Sequence, residues 1–258
     1  MASKIVIFVA QHFPCELPQC FADRDIYKPI QCGRALSEPI PGAVGDDTGD
    51  NISCSNPDVN EMTAIYWAGT HLDEFDNPEY VGFCHYRRCL EWNFSDLKEK
   101  QVVVHRWFSW RTLKDQFGCC HRIGDLDKFI DRMKLVMPDD EKRDFEVYWR
   151  SHFLYLANCF IMPRAEFTRY SEFMRQCLSV VFGMIRDNCI DRSGYDASMK
   201  RVYGFMLERM TGYWIWRERR YGRIRLRFTK MLHYDIANGH NGTRQQSLGL
   251  WSILTQAQ

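Results

Sequence analysis

Residues 80–88 read Y-V-G-F-C-H-Y-R-R, and this stretch decides the fold class of the 258-residue chain. The four residues after Tyr80 are apolar or small without interruption, as expected of a central strand covered on both faces. Polar residues follow directly at the carboxyl end of this strand, where open α/β sheets bind their ligands. The stretch therefore predicts an α/β fold with a functional site at the end of a buried strand.

The end of this strand brings several basic side chains together. His85, Arg87 and Arg88 can all carry positive charge, and no acidic residue follows before Glu91. Bringing like charges together costs free energy unless an anion joins them. Arginine suits a diphosphate because its planar guanidinium forms paired bonds, and histidine can donate to a phosphate or transfer a proton. The alternative is that the arginines pair with surface carboxylates and His85 is a core residue.

Composition limits the classes of function. The chain is 45% hydrophobic and 14% aromatic, which suffices for a sizeable core in one domain. A net charge of +1 argues against a general nucleic-acid binder. No apolar run reaches the ~18 residues of a membrane span, and the first residues do not resemble a signal peptide, so we expect a cytoplasmic protein. The eleven cysteines form no C-x-x-C pair, so we expect reduced thiols.

Apolar periodicity predicts the order of the elements. Strands are predicted at 5–10 and 102–104, with a strand or strand pair at 153–162. Helices are predicted at 60–70, 125–136, 165–185 and 197–216. Strands alternate with helices in the first half and helices dominate later, which favours an α/β sandwich with a helical C-terminal portion.

A long polar loop is predicted at 32–57, where Gly, Pro, Asp and Asn are frequent, and loops of this length are usually functional. Its carboxylates Asp46, Asp47 and Asp50 could bind a divalent cation, but they lack the spacing of an EF-hand. Contact with substrate hydroxyls or ordering of the loop is favoured over metal. The alternative is a turn in which Asp and Asn side chains bond to their own backbone.

The helix predicted at 197–216 contains a carboxylate in apolar surroundings. Glu208 has Met206, Leu207 and Met210 as near neighbours, and it shares a helix face with Arg201. Such a carboxylate is either paired with an arginine or is a base whose pKa is tuned by burial. On the residues alone the ion pair is favoured.

Six segments in one order carry a resemblance to a known family. They are D-I-Y-K-P-I-Q-C-G, D-D-T-G-D-N-I-S, N-E-M-T-A-I-Y-W, Y-V-G-F-C-H-Y-R-R, N-C-F-I-M and G-F-M-L-E-R-M. Across residues 4–216 the chain resembles bacterial glycosyltransferases of capsule and exopolysaccharide biosynthesis, formerly described only as a domain of unknown function. Characterised relatives transfer galactofuranose from UDP-galactofuranose.

The resemblance implies a GT-A-like α/β fold, with a single sheet flanked by helices and a helical C-terminal portion. It implies one glycosyltransferase domain over 1–258, with a nucleotide-sugar-binding half at 1–110 and an acceptor half at 111–258. Most such enzymes hold a divalent metal on an Asp-x-Asp at this strand end, but here the place reads His85-Tyr86-Arg87. We therefore expect fixed cations to replace the metal, while a Mn²⁺ or Mg²⁺ requirement stays open.

The resemblance also implies roles for individual residues. Those bordering the nucleotide are His12, Tyr27 and Gln31, and those closing over the ribose or sugar are Asp46, Asp47, Thr48, Asp50 and Asn51. Those at the diphosphate are His85, Tyr86, Arg87 and Arg88, and Asn158 lies on the acceptor side. Glu208 is the expected general base of an inverting transfer, oriented by Arg209 or Arg201, and Asp196 is the second choice.

The expected partners are a UDP-sugar donor and a saccharide or lipid-linked saccharide acceptor, with no nucleic acid. A basic tail begins at Arg217 and ends at Lys230; it is either a charged edge strand or a contact with anionic membrane or a lipid diphosphate. A rival interpretation is a non-catalytic protein of the same fold that binds a nucleotide sugar or polysaccharide. Another is a metal-dependent phosphatase or nuclease using the aspartates, which leaves the arginines and Glu208 unexplained.

Overall fold

The computed structural model describes residues 5–155, 157–236 and 240–244. The strands are β1 (Ile5–Gln11), β2 (Tyr27–Gln31), β3 (Val44–Gly45), β4 (Tyr80–His85), β5 (Arg88–Leu90), β6 (Gln101–Val104), β7 (Trp107–Phe108), β8 (Phe153–Leu154), β9 (Phe160–Pro163), β10 (Arg225–Phe228), β11 (Met231–Asp235) and β12 (His240–Arg244). The helices are α1 (Asn56–Val59), α2 (Met62–His71), α3 (Leu113–Phe117), α4 (Ile123–Val136), α5 (Asp139–Trp149), α6 (Arg164–Arg186) and α7 (Val202–Arg220).

Within the described residues, ten strands form one sheet whose main path runs β10-β6-β9-β4-β1-β2-β3. Strand β1 is parallel to both β2 and β4, whereas β9 is antiparallel to β4 and β6. Strands β5, β11 and β12 extend the sheet from the end of β4, and β7 pairs with β8 separately. Residues 1–110 and 111–258 both contribute strands to the main path, so the two parts share one sheet.

Strands β1 and β4 form the buried centre, as their apolar runs predict. Both faces of β1 are covered, because Phe8 packs in one apolar cluster and Ile7 in the other. Gly82 in β4 lies where the strands crowd: an added Cβ would come within 2.9 Å of the Phe160 carbonyl oxygen and 3.0 Å of the Ile7 side chain. A larger residue there would force neighbouring strands apart.

The two faces of the sheet are covered differently. Residues of α2 to α7 pack in the cluster that includes Phe8 and Phe83. The cluster on the opposite face draws on irregular segments and short strands, through residues such as Phe21, Tyr86 and Met231. The predicted α/β sheet with flanking helices is therefore confirmed. None of the described helices is long and apolar enough to cross a bilayer.

The structure differs from the predicted elements at several points. The run 153–162 is divided between β8 and β9, because Ala157 and Asn158 have positive φ angles of 68° and 46° that no strand adopts. The sequence did not predict β2, where Lys28 and Pro29 interrupt the apolar pattern, nor α5, which has a charged surface. All eleven cysteines are free thiols.

Candidate functional site

The polar residues that follow β4 form a tight hairpin. Strand β4 ends at His85, residues 86 and 87 make the turn, and Arg88 pairs with His85 as the first residue of β5. The Tyr86 amide donates to the Ala10 carbonyl oxygen at 2.9 Å, which ties the turn to the end of β1. The His12 ring, just beyond β1, lies 5.6 Å from the Tyr86 ring. The carboxyl ends of these two parallel strands thus bring the predicted residues together.

A cavity of about 520 Å³ lies at this edge of the sheet. Both parts of the chain line it, since the hairpin and the start of α2 meet α7 and the segment before it. The predicted residues that line it are His12, His85, Tyr86, Arg87, Arg88, Asp196, Arg201, Glu208 and Arg209. Lining residues that the sequence did not reveal include Asn60, Glu61, Trp107, Gln116, His121 and Ser198.

The hairpin side of the cavity has unused hydrogen-bonding capacity. The Nε atoms of Arg87 and Arg88 and the Nδ1 atom of His85 are buried, and no described residue pairs with them. A buried polar group without a partner costs about 1–3 kcal/mol, so native proteins rarely leave several together without a ligand to meet them. Guanidinium groups are matched best by carboxylates and phosphates. This wall of the cavity is therefore suited to an anion.

The arginines supply the charge of this wall. Burial lowers the pKa of His85 well below its usual range, and the charges of Arg88 and Arg87 lower it further. The pKa of His12 is lowered by burial and by Arg201. Both imidazoles are therefore neutral at neutral pH. His85 lies where the sequence places it, its lowered pKa favours a neutral hydrogen-bonding ring, and its role at the diphosphate stays a prediction.

Glu208 projects into the same cavity from α7. The Ala157 amide donates a hydrogen bond to its carboxylate, and Arg209 Nη1 lies 3.6 Å from the other oxygen. Burial raises the pKa of Glu208, the Arg209 charge opposes this rise, and Glu61 adds to it. Arg209 makes closer bonds elsewhere, to Gln116 Oε1 at 2.8 Å. The carboxylate is thus loosely paired and unusually basic, which suits a proton acceptor.

Asn158 connects the two sides of the site without lining the cavity. Its Nδ2 donates to Glu61 Oε1 at 2.8 Å, and its Oδ1 accepts from Thr211 Oγ1 at 2.7 Å. The side chain is buried, and the preceding residue, Ala157, is the one that reaches the cavity. Asn158 therefore positions the start of α2 against α7, and the acceptor-side role expected of it stays a prediction.

Asp196, the second candidate for the base, also lines the cavity. Its side chain is exposed and accepts a hydrogen bond from the Met199 amide at 2.7 Å. It faces His121, whose pKa burial and the charge of Arg209 lower to about 4. Asp196 thus differs from Glu208 in being exposed and in capping its own turn, whereas Glu208 is held inside the cavity.

Arg201 is held in place by a close helix contact. Its Nε donates to Asn60 Oδ1 at 2.5 Å, and Asn60 has a positive φ of 56° just before α2. Gly204 on α7 makes room for this arrangement, because a Cβ there would lie 2.0 Å from Asn60 Nδ2. The position of Arg201 therefore depends on the packing of α1 and α2 against α7.

Two predicted nucleotide contacts lie outside the cavity lining. Tyr27 is buried, and its hydroxyl accepts a bond from Trp92 Nε1 at 2.9 Å. Gln31 is also buried; its amide donates to the Glu38 carbonyl oxygen at 2.8 Å and accepts from the Ile40 amide at 2.7 Å. Both side chains hold neighbouring segments together, and their predicted contact with a nucleotide stays untested.

The loop 46–51 also lies outside the cavity lining. Asp46 accepts from the amides of Gly33 at 2.8 Å and Arg34 at 3.1 Å. Asp47 lies 3.6 Å from Arg34, and Thr48 accepts a hydrogen bond from Trp67 Nε1 at 2.9 Å. Asp50 accepts a hydrogen bond from the Tyr66 hydroxyl, and the Asn51 side chain donates to carbonyl oxygens of the loop. This geometry agrees with the alternative interpretation, a turn whose polar side chains bond to nearby parts of the protein. The role of the loop in closing over the sugar stays a prediction.

The residues that the sequence did not reveal are ones whose local pattern is ordinary. Glu61 stands at the N-terminal cap of α2, where an acidic residue is common for helix stability alone. Gln116 lies in the short helix α3 and His121 follows that helix, and neither belongs to a motif of the sequence. Only the tertiary fold brings them to Arg209 and the cavity.

The residues at the end of β4 do not fit a divalent metal. The two guanidinium groups of Arg87 and Arg88 repel a cation, and the neutral His85 ring, whose pKa is lowered, supplies no carboxylate oxygen, the ligand that Mg²⁺ and Mn²⁺ prefer. Across the described residues, no group of three or more His, Cys, Asp or Glu side chains is arranged to hold a metal ion. Independence from metal remains a prediction.

The basic tail is partly used in internal ion pairs. Arg217 lies 2.8 Å from Glu141, Arg223 lies 3.1 Å from Glu218, and Arg227 lies 2.8 Å from Asp96. Strand β10 forms the edge of the main sheet path, beside β6. These contacts fit a charged edge strand, and membrane contact through this tail stays a prediction.

Comparison with known proteins agrees with this architecture. The chain is similar to the apo structure of the WbbM bifunctional glycosyltransferase, with a TM-score of 0.71 and 24% sequence identity over 89% of this chain. It spans 45% of the length of that protein. Comparison with curated proteins gives no match.

The structural likeness confirms the GT-A-like α/β fold that the sequence predicts. The specific motifs and the transfer of galactofuranose are not tested by it. A family model described as a domain of unknown function, DUF4422, matches residues 6–219, which is most of the chain. The chain therefore belongs to the DUF4422 family.

Proposed function

We propose that this chain is a glycosyltransferase that moves a sugar from a UDP-sugar to a saccharide or lipid-linked saccharide acceptor. One observation carries the proposal: a single cavity combines unpaired arginine nitrogens with a carboxylate of raised pKa. The first group suits a diphosphate and the second suits removal of a proton from a hydroxyl. The similarity in fold to a bifunctional glycosyltransferase supports this assignment.

In the proposed reaction, the donor diphosphate binds at Arg87 and Arg88, with His85 as a neutral hydrogen-bonding partner. The acceptor hydroxyl loses its proton to Glu208 as its oxygen bonds to the anomeric carbon. The bond from that carbon to the diphosphate oxygen breaks, and the electron pair leaves with UDP. The arginines stabilise the charge that grows on UDP, and attack opposite the leaving group inverts the anomeric centre.

The donor and its context follow from the sequence resemblance. Galactofuranose as the sugar, surface polysaccharide as the product, a cytoplasmic setting and transfer without a metal all belong to this proposal. Arg87 and Arg88 support transfer without a metal, because fixed guanidinium groups can neutralise a diphosphate in place of a metal ion.

The test measures UDP release from a panel of UDP-sugars, including UDP-galactofuranose, with and without excess EDTA. We expect release in EDTA, and a drop of about 10²–10⁴-fold for Glu208→Gln, which removes the general base. Asp196→Asn serves as the matched carboxylate control and should stay within a few-fold of wild type.

Each contrary result removes a defined part of the proposal. Near-normal transfer by Glu208→Gln with donor binding intact would reject Glu208 as the base. Strict dependence on Mn²⁺ or Mg²⁺ would reject the role of the arginines as a substitute for metal. Tight binding of UDP-sugars without any UDP release would favour the non-catalytic binding protein.

A further inference from the structure

A group of aromatic side chains is exposed beside the cavity. This aromatic patch consists of Phe108, Trp110, Phe153 and Phe228, of which Trp110 is 88% exposed and Phe108 is 48% exposed. The ring centroid of Phe108 lies 5.1 Å from Trp110 and 5.7 Å from Phe153. The rings thus form one continuous surface, and contiguous exposed apolar surfaces of this kind usually mark an interaction site.

Cationic side chains are part of the same surface. The guanidinium of Arg106 lies 4.5 Å from the Phe153 ring centroid and 4.2 Å from that of Phe228. Arg219 lies 5.8 Å from Phe228. In the described part of the chain, neither arginine lies within ion-pair distance of a carboxylate, unlike Arg217 in the same helix. The patch therefore presents apolar rings together with positive charge that is not neutralised by the protein.

The patch adjoins the cavity through the short sheet of β7 and β8. Trp107 lines the cavity, and its neighbour Phe108 belongs to the patch. Across the strand pair, Phe108 lies opposite Phe153. Successive residues of a strand point to opposite sides, so one side of β7 serves the cavity and the other faces solvent. Whatever binds the patch is held next to the cavity.

Another exposed apolar pair shows why this patch is distinctive. Leu135 and Val136 at the end of α4 are also exposed, but the charges beside them include both signs. Arg132, for example, is paired with Asp187 at 3.1 Å. Scattered apolar residues among balanced charges are common on protein surfaces. The aromatic patch instead combines rings that contact one another with arginines that no described carboxylate neutralises.

We propose that the aromatic patch binds the surface of an anionic lipid bilayer. Tryptophan and other aromatic rings favour the boundary between lipid headgroups and acyl chains, and arginine pairs with lipid phosphates. Docked in this way, the patch holds the cavity close to the membrane surface. If the acceptor is a lipid-linked saccharide, this placement brings it to Glu208; that last step rests on the proposed function.

The test is co-sedimentation of the full chain with vesicles of phosphatidylglycerol and phosphatidylcholine, and with vesicles of phosphatidylcholine alone. We expect the wild type to bind the anionic vesicles more tightly. Phe108→Ser with Trp110→Ser should lower that affinity at least about tenfold, since both exposed rings are lost, and Arg106→Gln should lower it less. Leu135→Ser with Val136→Ser is the matched control and should bind as the wild type does.

The same variants separate this inference from the proposed function. UDP release without acceptor should be unchanged in Phe108→Ser with Trp110→Ser, because neither ring lines the cavity. The inference is overturned if the wild type binds neither kind of vesicle, or if the double variant binds as the wild type does. It is also overturned if light scattering shows that the wild type is a dimer and the double variant a monomer. The same holds if the double variant loses affinity for soluble saccharides but still binds vesicles. If the wild type binds anionic vesicles but releases no UDP from any UDP-sugar, that result counts against the proposed function alone.

Discussion

The loop 46–51 and the hairpin 85–88 are both dense in polar side chains, and they differ in where their hydrogen bonds go. In the loop, Asp46 accepts two backbone amides and Thr48 accepts the Trp67 indole. In the hairpin, the Nε atoms of Arg87 and Arg88 are buried without an acceptor among the described residues. Asp47 Oδ1 is also buried without a hydrogen bond from any described residue, although Arg34 lies 3.6 Å away. Most polar groups of the loop therefore fix its own shape, whereas the hairpin keeps binding capacity for a ligand.

This difference shows that polar density in a sequence does not by itself identify a binding site. A polar group that is satisfied within the protein contributes to stability, and its loss is felt in folding. A polar group that is preorganised but unsatisfied contributes to binding, and its loss is felt in affinity or rate. Substitutions in the two regions should therefore give opposite patterns of stability and activity.

The largest expected effect comes from the hairpin. Arg87→Gln with Arg88→Gln should lower kcat/KM for UDP release by about 10³-fold, because the charge on departing UDP is no longer stabilised. The melting temperature should stay the same or rise, because burial and Arg88 already lower the pKa of Arg87. Kinetics and thermal melts of the same preparations test both halves of this expectation. A large fall in melting temperature would mean that the arginines hold the fold together.

The loop should show the opposite pattern. Asp46→Ala leaves the Gly33 and Arg34 amides without an acceptor and should cost about 3 kcal/mol of unfolding free energy. UDP release, measured well below the melting temperature, should stay within about twofold of wild type. Asp50→Ala is the control, because Asp50 is exposed and surface pairs contribute about 0–1 kcal/mol. A loss of activity beyond the loss of folded protein would place the loop in the site, as the sequence suggests.

A smaller effect is expected where α7 meets the start of α2. Gly204→Ala places a Cβ 2.0 Å from Asn60 Nδ2, which should cost about 1–3 kcal/mol and displace the acceptor of Arg201. Arg201 lines the cavity and adds positive charge beside the proposed diphosphate site, so we expect a raised KM for the donor together with a lower melting temperature. Gly183→Ala in α6 is the matched control, since its nearest neighbour would be 3.8 Å away and helix propensity should make it neutral or stabilising. An unchanged KM in Gly204→Ala would show that Arg201 does not contribute to donor binding.

The smallest effect is a change in protonation on binding. The arginines help to hold the pKa of His85 and His12 below the usual range, so a bound diphosphate that neutralises them should raise both pKa values. Binding near pH 6 should therefore take up a fraction of a proton. Calorimetry of a UDP-sugar with Glu208→Gln, in buffers of different ionisation enthalpy, measures this number. Release of protons would mean that the diphosphate does not meet these residues.

Much of the fold could be predicted because its central strands are continuously apolar. The runs 5–10 in β1 and 81–84 in β4 contain no polar residue, as expected of strands buried on both faces. Strand β2 was not predicted because Lys28 and Pro29 interrupt the apolar pattern, although its backbone pairs with β1. The division of 153–162 depends on the positive φ angles of Ala157 and Asn158, which neither residue type signals strongly.

The candidate site was predicted in part for a similar reason. Arg87 and Glu208 stand out because charge adjoins an apolar run. Glu61 and Gln116 do not stand out, since their neighbours along the chain are ordinary and only the fold brings them to the cavity. Asp46 stands out in the sequence but lies outside the cavity lining, because turns that bond to themselves and loops that bind ligands use the same residue types.

The main-chain amide of Ala157 donates to the Glu208 carboxylate, so proline is the one standard residue whose introduction at position 157 removes the donor itself. The requirement at this position is a backbone shape, with a φ of 68°, which glycine and asparagine also adopt. The hydrogen bond to Glu208 therefore tolerates other side chains at position 157, provided that the backbone keeps this shape. Its vulnerability lies instead in Asn158, whose two bonds to Glu61 and Thr211 fix the path of the chain.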